Sequence, residues 1–84
     1  MIMDPQRNYA SWVKVASSNV DAVIWHEDRG TGRPVFSIRF LSSPKVYDFH
    51  GVPENVYHAM LQAGSKGKYF NERIKGRYYC PQVK

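Results

Sequence analysis

The spacing of apolar residues along this chain changes at Gly51-Val52-Pro53. Before this tripeptide, Phe36, Ile38 and Phe40 alternate with polar residues, a pattern typical of a strand with one buried face. After it, apolar residues recur at the spacing of a helix that buries one side. Because the two periods suit different elements, the sequence predicts a sheet followed by helices.

Four segments before Gly51 have the composition of strands. The first is short and contains Trp12, Val13 and Val15, and the other three cover residues 20–26, 35–41 and 45–50. Clusters of serine, glycine, proline and charged residues separate them and stop regular structure. Short polar links between consecutive strands favour antiparallel pairing, so we expect a small antiparallel β-meander of three to four strands.

Two helices should follow the meander. Pro53 suits the first position of a helix and Gly64 its end, while Ser65 can cap a second helix that Gly76 closes. We therefore expect an α+β domain in which two helices pack on one face of the sheet and the other face is partly open. The predicted interior is Phe36, Ile38, Phe40, Tyr57, Met60, Leu61 and Ile74.

The length of 84 residues allows one small core, and a domain of this size gains from added support by a partner or by oligomerisation. We divide the chain into an N-terminal arm or partner-recruited segment (1–14), an α+β domain (15–78) and a basic C-terminal tail (79–84).

A single cysteine, Cys80, excludes an internal disulfide framework and argues against a structural zinc site. With no membrane span and no signal-peptide pattern, we expect a soluble, cytoplasmic protein.

The net charge of +5 is concentrated in residues 66–84, where six Lys or Arg stand against one acid, Glu72. This excess begins at the start of the second predicted helix, where free N–H groups and lysines together favour a phosphate. An alternative interpretation accounts for the same residues equally well. In it, Ser65 is an ordinary N-cap and the neighbouring lysines are solvated. The spacing is not that of a P-loop. The predicted phosphate-binding residues are Ser65, Lys66, Gly67, Lys68, Asn71, Arg73 and Arg39.

Aromatic residues near this charge could stack on a base. Tyr69 and Phe70 are about a hundred degrees apart on a helix, so we expect one in the core and the other available to a ligand. Trp12 is a further candidate for clamping a base between protomers. The predicted stacking residues are Tyr69, Trp25, Tyr79 and Tyr47.

The order of these motifs resembles the KTSC domain, named for its occurrence at the C-terminus of some lysyl-tRNA synthetases and also found alone in bacterial and phage proteins. The likeness covers residues 15–78. One departure is that the family's Tyr-x-Tyr stands here as Tyr47-Asp48-Phe49, without the second phenol. The segments that carry the resemblance are Val15-Ala16-Ser17-Ser18, the strand pair ending at Phe40, Val46-Tyr47-Asp48-Phe49, Val52-Pro53, Val56-Tyr57, and residues 63–71 with Ile74 and Tyr78.

Two binding functions follow as expectations. The first is a non-catalytic nucleotide-phosphate binding module, in its favoured form a homo-oligomeric sponge that sequesters a small cyclic nucleotide immune signal. The phage members of the resembled family motivate this form, and a phage protein of this kind would act in the host cytoplasm. The second is RNA or DNA binding along the basic end, which the synthetase association of the family implies.

Catalysis finds little support in the sequence. His26, His50 and His58 have no metal-ligand spacing, so we predict no metal and no cofactor. Asp48 and His50 share a strand face and could act as acid and base in a phosphodiesterase-like enzyme, but no nucleophile or oxyanion donor accompanies them. We therefore predict that the protein is not an enzyme.

Overall fold

The computed structural model describes residues 12–82 of the chain. Most of the predicted N-terminal arm and the last two residues of the basic tail lie outside this range. The strands are β1 (Val13–Lys14), β2 (Val20–Glu27), β3 (Pro34–Phe40) and β4 (Val46–His50), and the helices are α1 (Glu54–Gln62) and α2 (Lys66–Arg73). The predicted α+β meander followed by two helices is confirmed.

The strands form a single antiparallel sheet in chain order, β1-β2-β3-β4. Val23 pairs with Ile38 and Phe36 pairs with Phe49, so apolar residues of three strands share the face on which the helices pack. A bulge at Asp21 interrupts the β2–β3 register between Val20 and Ala22. The extra residue directs the Asp21 carboxylate towards the side chains of Lys14 and Arg39.

The core lies between this face and the two helices. Phe36, Ile38, Met60 and Ile74 have no exposed surface, as the alternation and the helical spacing predicted. Phe40 and Leu61 are only half-buried, because each stands near the end of its element, where fewer neighbours surround it. Core residues outside the predicted list are Val20, Val23, Phe49, Val52 and Cys80, and Phe70 is the core member of the Tyr69–Phe70 pair.

The helix ends are close to those predicted. Pro53 immediately precedes α1, and Ala63 and Gly64 follow its last residue. Ser65 is the N-cap of α2, while Gly76 adopts a φ of 78° three residues after that helix ends. This left-handed conformation suits glycine and turns the chain back towards the sheet, where His50 N–H donates to the Tyr79 carbonyl at 2.8 Å.

The opposite face of the sheet, expected to be partly open, is buried at its centre. Ala22, Ile24, Val35 and Ser37 are buried there, on the two middle strands. The Ser37 hydroxyl donates to Asp48 Oδ1 at 2.5 Å. A polar group buried in this way needs such a partner, and the bond ties β3 to β4.

Candidate functional site

A cleft beside α2 combines aromatic walls with two cations. Tyr69 and Arg73 are separated by four residues and therefore lie one above the other on the same side of the helix. Val56 of α1 forms the opposite wall, and Arg77 and Tyr78 enter from the turn that follows α2. The cleft has a volume of about 270 Å³.

The charge of this cleft is positive. Neither Asp nor Glu lines it among residues 12–82, and Arg73 has no carboxylate partner within that range. Arg77 donates through Nε to the Glu72 carbonyl at 2.8 Å, which stabilises the C-terminal end of α2 and holds the guanidinium near the cleft. The arrangement can hold an anion between the guanidinium groups and a planar ring against a tyrosine.

The start of α2 is occupied by contacts of the fold. The Ser65 hydroxyl accepts from Lys68 N–H at 3.3 Å, as an N-cap does. Lys66 donates through Nζ to the Ala63 carbonyl at 2.9 Å, so its ammonium lies at the end of α1. A Cβ on Gly67 would stand 2.7 Å from the Asn19 side-chain oxygen, which means that the β1–β2 loop packs against this turn.

Three of the predicted phosphate ligands do not face the cleft. Lys68 and Asn71 are exposed and project from other sides of α2 than Arg73. Arg39 belongs to the sheet face opposite the helices, where its Nε donates to Asp21 Oδ2 at 2.8 Å and its guanidinium lies 5.1 Å from the Trp12 ring centre. The predicted set is therefore divided between the cleft, the start of α2 and the far face of the sheet.

Asp21 is bound by two cations. A hydrogen bond from Lys14 and a second from Arg39 hold the pKa of the Asp21 carboxyl below its usual range. With its charge already compensated by Asp21, Arg39 is a weaker candidate for binding a phosphate than Arg73.

The aromatic candidates also occupy separate places. Phe70 is 4% exposed and Tyr69 lies half-buried in the cleft, which resolves the alternative that the sequence left open. Trp25 packs on the core, and its Nε1 donates to the Val52 carbonyl at 2.8 Å. Tyr79 is 69% exposed and its ring centre lies 5.8 Å from that of His50.

Tyr47 packs edge-on against Phe40 with ring centres 5.9 Å apart. The neighbouring Phe49 is 2% exposed within the core, in contact with the rings of Phe36 and Phe70. The missing second phenol thus falls at a buried position, where a hydroxyl would need a hydrogen-bond partner.

Neither Arg77 nor Tyr78 was assigned to a site from the sequence. Arg77 donates to the Glu72 carbonyl at the C-terminal end of α2 and also lines the cleft. No helical spacing indicates the position of Arg77, because α2 ends at Arg73 and the turn that follows decides where Arg77 lies.

The residues considered for catalysis make structural contacts. Asp48 accepts from the buried Ser37, His50 lies beside Tyr79, and His58 Nε2 lies 3.2 Å from Glu54 Oε2. Within residues 12–82 no three metal-ligating side chains converge. The absence of enzymatic activity remains a prediction.

Comparison with known proteins identifies the family to which the chain is related. The model of the KTSC domain matches residues 16–78. A KTSC domain protein from Yersinia pestis has a similar crystal structure, with 28% sequence identity and a TM-score of 0.60 over 82% of this chain and 90% of that one. A comparison with curated proteins gives no match. Across residues 12–82, no helix has the length and apolar character needed to cross a membrane.

Proposed function

The chain belongs to the KTSC domain family, and we propose that it is a non-catalytic module that binds a nucleotide through its phosphate and its base. The proposed site is the cleft of Val56, Tyr69, Arg73, Arg77 and Tyr78.

The observation that carries this proposal is the pairing of two guanidinium groups with two phenol rings around one opening that no acid lines among the described residues. Arginine binds phosphate through several N–H groups in one plane, and a tyrosine ring can stack on a base. Arg73 is exposed and Tyr69 is half-buried, so a ligand could reach both.

The size of the cleft bears on the form of the assembly. Pockets that bury most of a drug-sized ligand have volumes of about 300 to 1,000 Å³. A cleft of about 270 Å³ would leave part of a nucleotide uncovered, and a second protomer could cover the rest. We therefore propose the homo-oligomeric sponge for a small cyclic nucleotide as the narrower form of this function, acting in the cytoplasm.

A nucleic-acid function has its own support in the exposed cations at and beyond α2. Lys68, Arg73, Lys75 and Arg77 are exposed, and none of their side chains pairs with a carboxylate within residues 12–82. Binding of RNA or DNA along these residues would neutralise several phosphates at once. Its affinity would fall steeply with salt, whereas binding of one or two phosphates in the cleft would respond weakly.

Calorimetry with an Arg73→Gln variant tests the assignment. The probes are a panel of cyclic dinucleotides and adenosine mononucleotides, with a short RNA titrated at several salt concentrations. Lys68→Gln is the matched control, since it removes one exposed positive charge from the same helix on another side. We expect Arg73→Gln to weaken nucleotide binding by about tenfold or more, the value of a hydrogen bond to a charged group, and Lys68→Gln to have little effect.

Equal losses of binding affinity in the two variants, together with a steep salt dependence, would contradict a nucleotide site in the cleft. They would favour nucleic-acid binding along the exposed cations. Native mass spectrometry of the purified protein reports the oligomeric state and any retained ligand. A monomer that retains a nucleotide would contradict only the oligomeric form of the proposal and not the nucleotide site itself.

A further inference from the structure

A second cavity, separate from the cleft, opens between the ends of β3 and β4 and the C-terminal end of α2. Its lining consists of four aromatic rings and one cation: Phe40, Tyr47, Phe49, Phe70 and Lys75. The volume is about 180 Å³. It shares no lining residue with the cleft of Tyr69 and Arg73.

The walls of this cavity are fixed by ring-to-ring contacts. Phe70 meets Phe40 and Phe49 edge-to-face, with centroid distances of 5.5 and 5.3 Å, and Phe40 meets Tyr47 at 5.9 Å. Phe49 and Phe70 are buried, while Phe40 and Tyr47 are half-buried and face the opening. The space is therefore a preformed apolar pocket whose rings can stack on a planar guest or meet it edge-on.

Lys75 supplies the charged group of the pocket. It follows α2, where its backbone N–H donates to the Phe70 carbonyl at 2.9 Å and fixes the start of its side chain beside the rings. The residue is exposed, and within residues 12–82 its ammonium has no carboxylate partner. A cation at the rim of an aromatic pocket favours a guest that carries a negative charge at one end.

The volume is sufficient to cover a single ring. An apolar cavity of roughly 150 Å³ suffices for benzene. The additional space here covers a small substituent on such a ring, and a second ring would stand outside the pocket.

We propose that this pocket binds a small planar aromatic acid, with the ring among Phe40, Tyr47, Phe49 and Phe70 and the acid group on Lys75. The site is independent of the proposed nucleotide cleft, because Phe70 and Tyr69 are adjacent on α2 and project about a hundred degrees apart. An aromatic acid in this pocket would hold β4 and the end of α2 together.

Titrations of ¹⁵N-labelled protein followed by NMR test the proposal with three probes. Benzoate carries the ring and the acid, benzyl alcohol carries the ring without the charge, and acetate carries the charge without the ring. We expect saturable shifts from benzoate at the amides of Phe40, Tyr47, Phe49 and Phe70, weaker binding of benzyl alcohol and no saturation by acetate.

The Lys75→Gln variant should weaken benzoate binding by about tenfold and leave benzyl alcohol binding unchanged, since only benzoate can use the ammonium. Lys68→Gln and Arg73→Gln should leave both unchanged, which separates this site from the cleft. The proposal is wrong if benzoate produces no saturable shift at these amides, or if benzoate and benzyl alcohol bind equally well. Equal loss of benzoate binding in the Lys75 and Lys68 variants would likewise overturn it, by indicating a general charge effect.

Discussion

The side-chain oxygen of Asn19 lies 2.7 Å from the position that a Cβ on Gly67 would occupy. This contact joins the β1–β2 loop to the first turn of α2, and the Ser17 hydroxyl holds the same oxygen at 3.2 Å. Glycine at position 67 therefore allows the Asn19 side chain to pack closely against α2. The same segment was predicted from the sequence to bind a phosphate.

The Asn19–Gly67 contact predicts that the effects of two substitutions depend on each other. Gly67→Ala alone should be neutral or destabilising, because the new methyl group displaces the Asn19 side chain. In an Asn19→Ala background the same change should stabilise the protein by about 0.5 to 1 kcal/mol, the helix preference for alanine over glycine. Urea unfolding of the four proteins of this cycle measures the coupling, and additive effects would contradict the contact.

Ser65→Ala should lower the free energy of unfolding by about 1 kcal/mol, because it removes the acceptor for Lys68 N–H at the N-terminus of α2. The matched control is Ser18→Ala, since Ser18 is exposed in the β1–β2 loop. Chemical denaturation compares the two variants with the parent. An unchanged stability in Ser65→Ala would show that the hydroxyl does not act as a cap.

Phe36→Ala should be the most damaging of the core truncations. The ring has no exposed surface and contacts those of Phe49 and Tyr57, so its removal should cost about 3 to 5 kcal/mol. Phe40→Ala and Leu61→Ala should cost less, because both residues are half-buried and water can fill part of the space. Thermal and urea unfolding rank the three variants, and equal losses would mean that burial does not distinguish these positions.

Asp21→Asn should reduce stability at neutral pH, because it removes the negative charge between Lys14 and Arg39 and replaces one of the two acceptor oxygens by an NH2 donor. Since these partners lower the folded-state pKa of Asp21 below the ordinary value of 3.8, its carboxylate stabilises the fold above that value. This contribution is lost as the pH falls through the lowered pKa. The stability difference between parent and variant should therefore shrink below about pH 4 and vanish once Asp21 is protonated.

Unfolding curves measured from pH 7 to pH 2 test this dependence. Glu72→Gln is the control, as Glu72 is exposed and its side chain has no ion pair among residues 12–82. A constant difference between Asp21→Asn and the parent at all pH values would contradict the ionic origin of the effect.

The predicted strands and helices depend on residues close together in sequence, which is why local patterns identified them. The alternation of Phe36, Ile38 and Phe40 identified β3 and the face on which the helices pack, and Ser65 correctly marked the cap of α2. The same local patterns could not show how deeply the ends of elements are buried. Phe40 and Leu61 have the right period but fewer surrounding atoms.

The amino-acid sequence by itself determined the order of the elements, the face of β3 on which the helices pack and the concentration of positive charge at the end of the chain. Only the tertiary structure decided which charged and aromatic residues meet, because side chains compete for partners that are distant in sequence. Arg39 is bound to Asp21 across a β-bulge, and Lys66 caps the end of α1. Arg73 has no such partner among the described residues, and the turn after α2 places Arg77 and Tyr78 beside it.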